Sequence, residues 1–199
     1  TGVVTRVFLG DDEMAGFFLQ EEDSEADADA ATSEGIFVLA PNLTPADVIP
    51  GQIVDVTGDV VESGGETTLV LSDIEIIDAS DNSGLVTATN VFSVDADDRE
   101  ALVGMLVFFD EVTGTETFYL TRDNQYIVSQ DGLLEQYTQL ITPGTANAAD
   151  AEAFELANAD KSIFVDDGSN RSDLQNPAEI RVPDGNDGIL DAADTFTMG

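Results

Sequence analysis

The sequence predicts a mainly β protein built as tandem OB-like Greek-key barrels, and three observations predict it. Short apolar runs rich in Val, Ile and Phe recur through positions 1–80, broken by Gly, Pro, Asn and Asp, the punctuation of strands and turns. Five such runs fit within residues 3–77, the scale of one small five-stranded barrel. Beyond a polar Ser/Asp/Asn break the strand pattern resumes, interrupted by a single convincing helix. These features divide the chain into residues 1–80, an OB-like β-barrel, and residues 84–199, a second OB-like β domain.

The first strand is expected over 3–9, a β-branched run, and Gly16–Gln20 follows a Gly-Asp-Asp-Glu turn. An acidic, Ala-rich excursion over 21–33 leads to Gly35–Leu39. Pro41, Asn42, Pro45 and Pro50 mark the next connection. Residues 51–61 alternate in blocks, with Ile53, Val54 and Val56 set for a buried face. Gly64-Gly65 has the chemistry of a tight hairpin turn, and 67–77 supplies a fifth strand with Leu69, Leu71, Ile74 and Ile76 inward.

In the second half, strands are expected over 85–91, 104–109, 115–121, 126–128 and 161–165, with a short helical turn at 97–102. The convincing helix lies near 147–158: it is Ala-rich, and Ala151, Phe154 and Leu156 form a small apolar patch. Asp166-Asp167-Gly168 reads as a tight turn, and 179–182 is the best remaining strand. The sequence stops at Gly199, just after Asp194-Thr195-Phe196-Thr197-Met198, where another strand pair is expected. The second barrel therefore reads as incomplete at its C-terminus, its missing strands lying in a parent protein or in another chain.

Charge bounds the function more tightly than fold does. The 199 residues carry 41 acidic and 6 basic side chains, a formal charge of −35, with no His, Cys or Trp. Such a surface repels polyanions, so a Lys/Arg-lined nucleic-acid groove is excluded and any nucleic-acid contact is expected to be weak or metal-bridged. The same charge suits salty surroundings, halophilic or marine, where screening over roughly 8 Å or less limits self-repulsion. Without Cys there is no thiolate site, and without His no Ser-His pair. No apolar run approaches the roughly 20 residues of a bilayer span. The expectation is a secreted, extracellular protein whose signal has been removed.

Several segments resemble a known family. The run Gly16-Phe17-Phe18-Leu19-Gln20-Glu21-Glu22-Asp23, followed by Thr32-Ser33-Glu34-Gly35-Ile36-Phe37-Val38, resembles the OB-fold module of large secreted bacterial nucleases. Those are multidomain proteins whose C-terminal catalytic domain belongs to the endonuclease/exonuclease/phosphatase superfamily. Gly51-Gln52-Ile53-Val54-Asp55-Val56-Thr57-Gly58 and Glu66-Thr67-Thr68-Leu69 look like the fourth and fifth strands of that module. Gly104-Met105-Leu106-Val107, Tyr119-Leu120 and Val165-Asp166-Asp167-Gly168-Ser169-Asn170 are similar to the segment joining it to the catalytic domain. The resemblance covers nearly the whole chain. Superfamily catalysis needs histidines beside a metal-held acidic cluster; this chain has none, so no catalytic residue carries over.

Two acidic stretches are candidate calcium sites. Asp23, Glu25, Asp27 and Asp29 fall at every second position of the 21–33 excursion, a spacing that lets one loop wrap a hard cation needing about 6–8 oxygens. Asp184, Asp187, Asp191 and Asp194 partly fit an EF-hand loop, with Asp187 and Gly188 at its fifth and sixth positions, but Pro183 and Gly185 stand at the first and third. A solvated acidic loop and a Gly-Asp turn describe the same letters. Phe17, Phe18, Phe37, Phe108, Phe109, Phe118 and Tyr119 include both core packing and base-stacking candidates.

The expected function is that of a non-catalytic, calcium-associated accessory module of a secreted nuclease, positioning a catalytic domain or contacting substrate. The alternative is a structural subunit of an extracellular calcium-dependent filament or surface layer, joined to copies of itself by strand addition at an open barrel edge.

Overall fold

Five strands close into a barrel: β1 (Gly2–Phe8), β2 (Gly16–Gln20), β3 (Gly35–Leu39), β4 (Ile53–Ser63) and β5 (Glu66–Asp78). The computed structural model describes residues 1–27, 29, 31–91, 99–142, 144–145, 147–170 and the backbone of 195–198. Round the barrel wall the order is β1-β2-β3-β5-β4, with β4 returning to β1. Every neighbouring pair is antiparallel except β3–β5, which is parallel.

Side-chain alternation explains the wall. Phe17 and Leu19 of β2, Val38 of β3 and Val54 of β4 are buried in one core with Val4 and Leu9, while Phe18, between two inward neighbours, lies on the other face. Burying each large apolar side chain contributes roughly 1.5–3 kcal/mol. Val3 and Val4 are both buried although consecutive residues face opposite sides of a strand, and a bulge follows between Val4 and Arg6. The long β4–β5 hairpin turns at Gly64-Gly65, with φ of 67° and 96°. Both values are left-handed, as a two-residue turn matched to strand twist requires.

Of the four inward positions expected on β5, Leu69, Leu71 and Ile74 pack against the core. Ile76 does not: it pairs with Val54 yet is 44% exposed. The register shift at Thr57/Gly58 leaves Ser72 as an extra residue, so that Leu71 and Ile74, three positions apart, both pack against the core.

The chain forms two units. The first comprises residues 1–90, 97–108 and 168–170, the second 91–96, 109–167 and 171–199. In the first unit, Ser33 Oγ donates to the Val103 carbonyl at 2.5 Å and Leu106 N–H donates to Gln20 Oε1 at 2.8 Å. These bonds tie residues 99–108 to the barrel. The short strand β6 (Thr89–Asn90) runs parallel to the start of β7 (Val107–Glu116). Ser169 bridges to Glu13, so the segment expected as a plain turn also makes a β contact.

In the second unit, β7 pairs with β8 (Gln125–Ser129), and β8 with β9 (Ile163–Asp166), all antiparallel. The final strand β10 (Thr195–Met198) lies on the other side of β7. Among the described residues this sheet is open, in the order β10-β7-β8-β9. Phe109, Val112, Tyr126 and Val128 are its buried apolar residues, and burial pushes the Tyr126 hydroxyl up to about 12.

Several expected strand limits change here. Residues 104–109 and 115–121 are not two strands: β7 runs through Glu116, and α1 (Leu120–Asp123) follows. Asn124, left-handed at φ 56°, closes that turn, and its amide donates to Asp167 Oδ2 at 2.5 Å. Residues 85–91 form only the tail of a 3-10 turn (Ser83–Leu85) and the pair in β6. The convincing helix is α3 (Ala148–Lys161), preceded by α2 (Tyr137–Leu140). Asn147 caps α3 by accepting from Ala149 N–H at 3.0 Å. Its apolar patch excludes Leu156, which is 62% exposed.

Candidate functional site

Residues of the acidic stretch after β2 border a cavity of about 590 Å³. Its apolar lining is barrel interior, Leu19, Ile36, Val56 and Leu69, while Glu21, Asp27, Glu34 and Glu100 supply the carboxylates. Among the described residues no Lys or Arg side chain lines it.

The ladder places the central pair. Gln20 and Gly35 are the last partners of β2 and β3, and the next residues outward are Glu21 and Glu34, joined by a Glu21 N–H to Glu34 carbonyl bond of 2.9 Å. Two acids in directly opposed positions repel. The Glu34 carboxyl is accordingly raised above its ordinary range, by desolvation first, then by the charges of Asp27 and Glu21. Glu34 and Glu21 also share a side-chain hydrogen bond that favours a held proton.

Of the four residues expected to wrap an ion, Asp23, Asp27 and Asp29 accept hydrogen bonds on their carboxylates. Asp23 takes both hydrogen bonds of Thr87: Oδ1 accepts from the amide at 2.9 Å and Oδ2 from the hydroxyl at 2.6 Å. The hydroxyl, then the amide, hold its carboxyl below the usual range. Asp27 Oδ1 accepts from Asp29 N–H at 2.7 Å, and Asp29 Oδ1 from Ala31 N–H at 3.0 Å. These are side-chain turns that fold the loop on itself. Glu25 is exposed, its amide bonded to the Glu22 carbonyl at 2.8 Å. Of the four, only Asp27 lines the cavity. Among the described residues, no three carboxylates converge as a metal-holding group. Asp184, Asp187, Asp191 and Asp194 lie outside the described residues.

The residues missed by sequence reasoning are Glu34 and Glu100. Glu34 could have been found by extending the β2–β3 register one step, since an acid then faces Glu21. Glu100, distant in sequence, carried no such signal.

A second surface runs across the outside of the barrel. Phe8, Phe18 and Phe37 form a row, with ring centroids 6.0 Å apart for Phe8–Phe18 and 5.1 Å for Phe18–Phe37, and Arg6 lies 5.5 Å from the centre of Phe8. Phe17 and Phe109 are buried, so they present no stacking face. Phe118 is 69% exposed and meets Tyr119 edge-on at 5.1 Å.

The described residues thus offer carboxylates able to share protons or take hard cations, and aromatic rings able to stack. With no His or Cys in the chain, an imidazole base or a thiolate nucleophile is absent. No family model, curated protein or solved structure matches the chain.

Proposed function

We propose that the chain is a non-catalytic, OB-like accessory module of a secreted nuclease, which positions a catalytic domain or contacts its substrate. The observation that carries this reading is the barrel's connectivity. Order β1-β2-β3-β5-β4, closed by β1 on β4 with β3–β5 as its parallel pair, is the arrangement expected of the five-stranded OB barrel. The aromatic row across β1, β2 and β3 supports a stacking role on that surface. Calcium enters the reading through the carboxylates at the barrel mouth, which are oxygen donors of the kind that ion prefers; bound there, it would supply positive charge that the chain lacks.

The test is a nuclease assay on the purified chain with calcium and magnesium, alongside thermal melts. The expected result is no turnover of DNA or RNA, with a midpoint that rises at millimolar calcium, because a ligand bound only to the folded state stabilises it. Saturable phosphodiester cleavage by the chain alone overturns the non-catalytic reading, and an unmoved midpoint removes calcium from it.

One observation favours a second reading, an extracellular calcium-dependent assembly. Among the described residues β9 stands at the end of the sheet order, next to β8, and the end of an open sheet is the place where strand addition occurs. Native mass measurement with calcium and with chelator distinguishes the readings: a calcium-dependent oligomer supports assembly, and a monomer in both conditions rejects it.

A further inference from the structure

We propose that the groove between β8, β9, α2 and α3 binds a small organic cation with a quaternary ammonium head. The groove measures about 600 Å³, within the size range of small-molecule sites. Its floor is the cross-strand pair Ile127 and Phe164, directly opposed on β8 and β9. Its wall is Tyr137 of α2 with Phe154 of α3, whose ring centroids stand 5.8 Å apart at 49°. Three aromatic rings thus line one recess, and Phe164 is 62% exposed there.

The charges select the occupant. Glu155 lies on the groove, and among the described residues no Lys or Arg side chain lines it. The one lysine of the chain, Lys161 at the end of α3, is paired with Asp131 at 3.0 Å. Ring faces attract cations through their quadrupole, most strongly where the cation sheds water easily, as a methylated ammonium does. A chain of net charge −35 also concentrates cations and excludes anions near its surface. A neutral apolar molecule of the same shape would gain the burial but neither electrostatic share.

The experiment is a two-dimensional amide NMR titration of the whole chain with choline, and separately with its uncharged isostere 3,3-dimethylbutan-1-ol, at fixed ionic strength. Saturable choline shifts are expected around Tyr137, Phe154 and Phe164, with the alcohol binding about tenfold more weakly. Phe154→Leu should weaken choline about tenfold, while Phe118→Leu, at an exposed ring outside the groove, leaves it unchanged. If Phe154→Leu does not fold, Glu155→Gln serves: it should weaken choline severalfold and leave the alcohol as it was. Equal affinity for the alcohol, shifts that grow linearly without saturation, or equal loss in Phe118→Leu overturns the proposal.

Discussion

Glu21 and Glu34 face each other one step beyond the β2–β3 ladder, their backbones joined by a 2.9 Å hydrogen bond. The barrel therefore holds two acids in register where opposed like charges destabilise a strand pair. Desolvation, with the charges of Asp27 and Glu21, raises the Glu34 carboxyl above its usual range.

The sign of the pH effect follows. A carboxyl raised in the folded state binds its proton more tightly there than in the unfolded chain, where it titrates near 4.3. Its contribution is fully present below about pH 4.3 and is lost as pH rises through the folded value. Glu34→Gln keeps the shape and removes the charge. It should raise the thermal midpoint at pH 7 by about 1–3 °C, with the gain shrinking as pH falls toward 4. Melting curves of both proteins across that range check it; a lower midpoint at pH 7 in the variant contradicts the like-charge account.

Asp23 titrates in the opposite direction. Its carboxylate is held low by the Thr87 hydroxyl and then the Thr87 amide, so the stability it contributes is present above the unfolded value near 3.9 and is lost as pH falls through the folded value. Thr87→Val removes the larger cause. The Asp23 carboxyl carbon, followed by NMR, should then titrate at higher pH than in the parent chain. Asp23→Ala should also speed hydrogen exchange at the Thr87 amide about fivefold, since that N–H loses its acceptor.

How much of this was legible in the sequence depended on whether the signal was local. Gly64-Gly65 and the β-branched runs around it announce the β4–β5 hairpin, because turn and strand chemistry act over a few neighbouring residues. Phe17 and Phe18 are identical letters, and only pairing across β1 and β3 sends one to the core and the other outward. Phe118 and Tyr119 favour strands by propensity, yet a left-handed Asn124 lets the chain coil before β8. The acidic loop showed its charge density, but not which carboxylates meet, since that depends on register and on Glu100 arriving from far along the chain. Asp23 and Asp29, chosen for their spacing, accept hydrogen bonds from Thr87 and from the loop's own backbone.

The core ledger offers a direct magnitude. Phe17 is fully buried, packed among barrel side chains from several strands. Phe17→Ala removes its transfer free energy and leaves a cavity, and should cost about 3–5 kcal/mol in urea unfolding. Phe17→Leu keeps most of the volume and should cost far less. Equal losses in the two variants would mean that ring volume is not what the barrel requires.

The segment 99–108 is held against β3 through a glycine pair. Gly104 has φ of 77°, and a Cβ built on it would stand 2.9 Å from both the Gly35 carbonyl carbon and Ile36 N. A side chain there meets two separate penalties, the left-handed backbone and contact with main chain that has no rotamer to change. Gly104→Ala should therefore cost about 1–3 kcal/mol, and the loss should be local first. The Leu106 amide, which donates to Gln20 at 2.8 Å, should lose exchange protection before the amides of β2 and β3 do. If Leu106 and the barrel strands lose protection together, the segment is part of the barrel's cooperative unit rather than a piece clamped onto it.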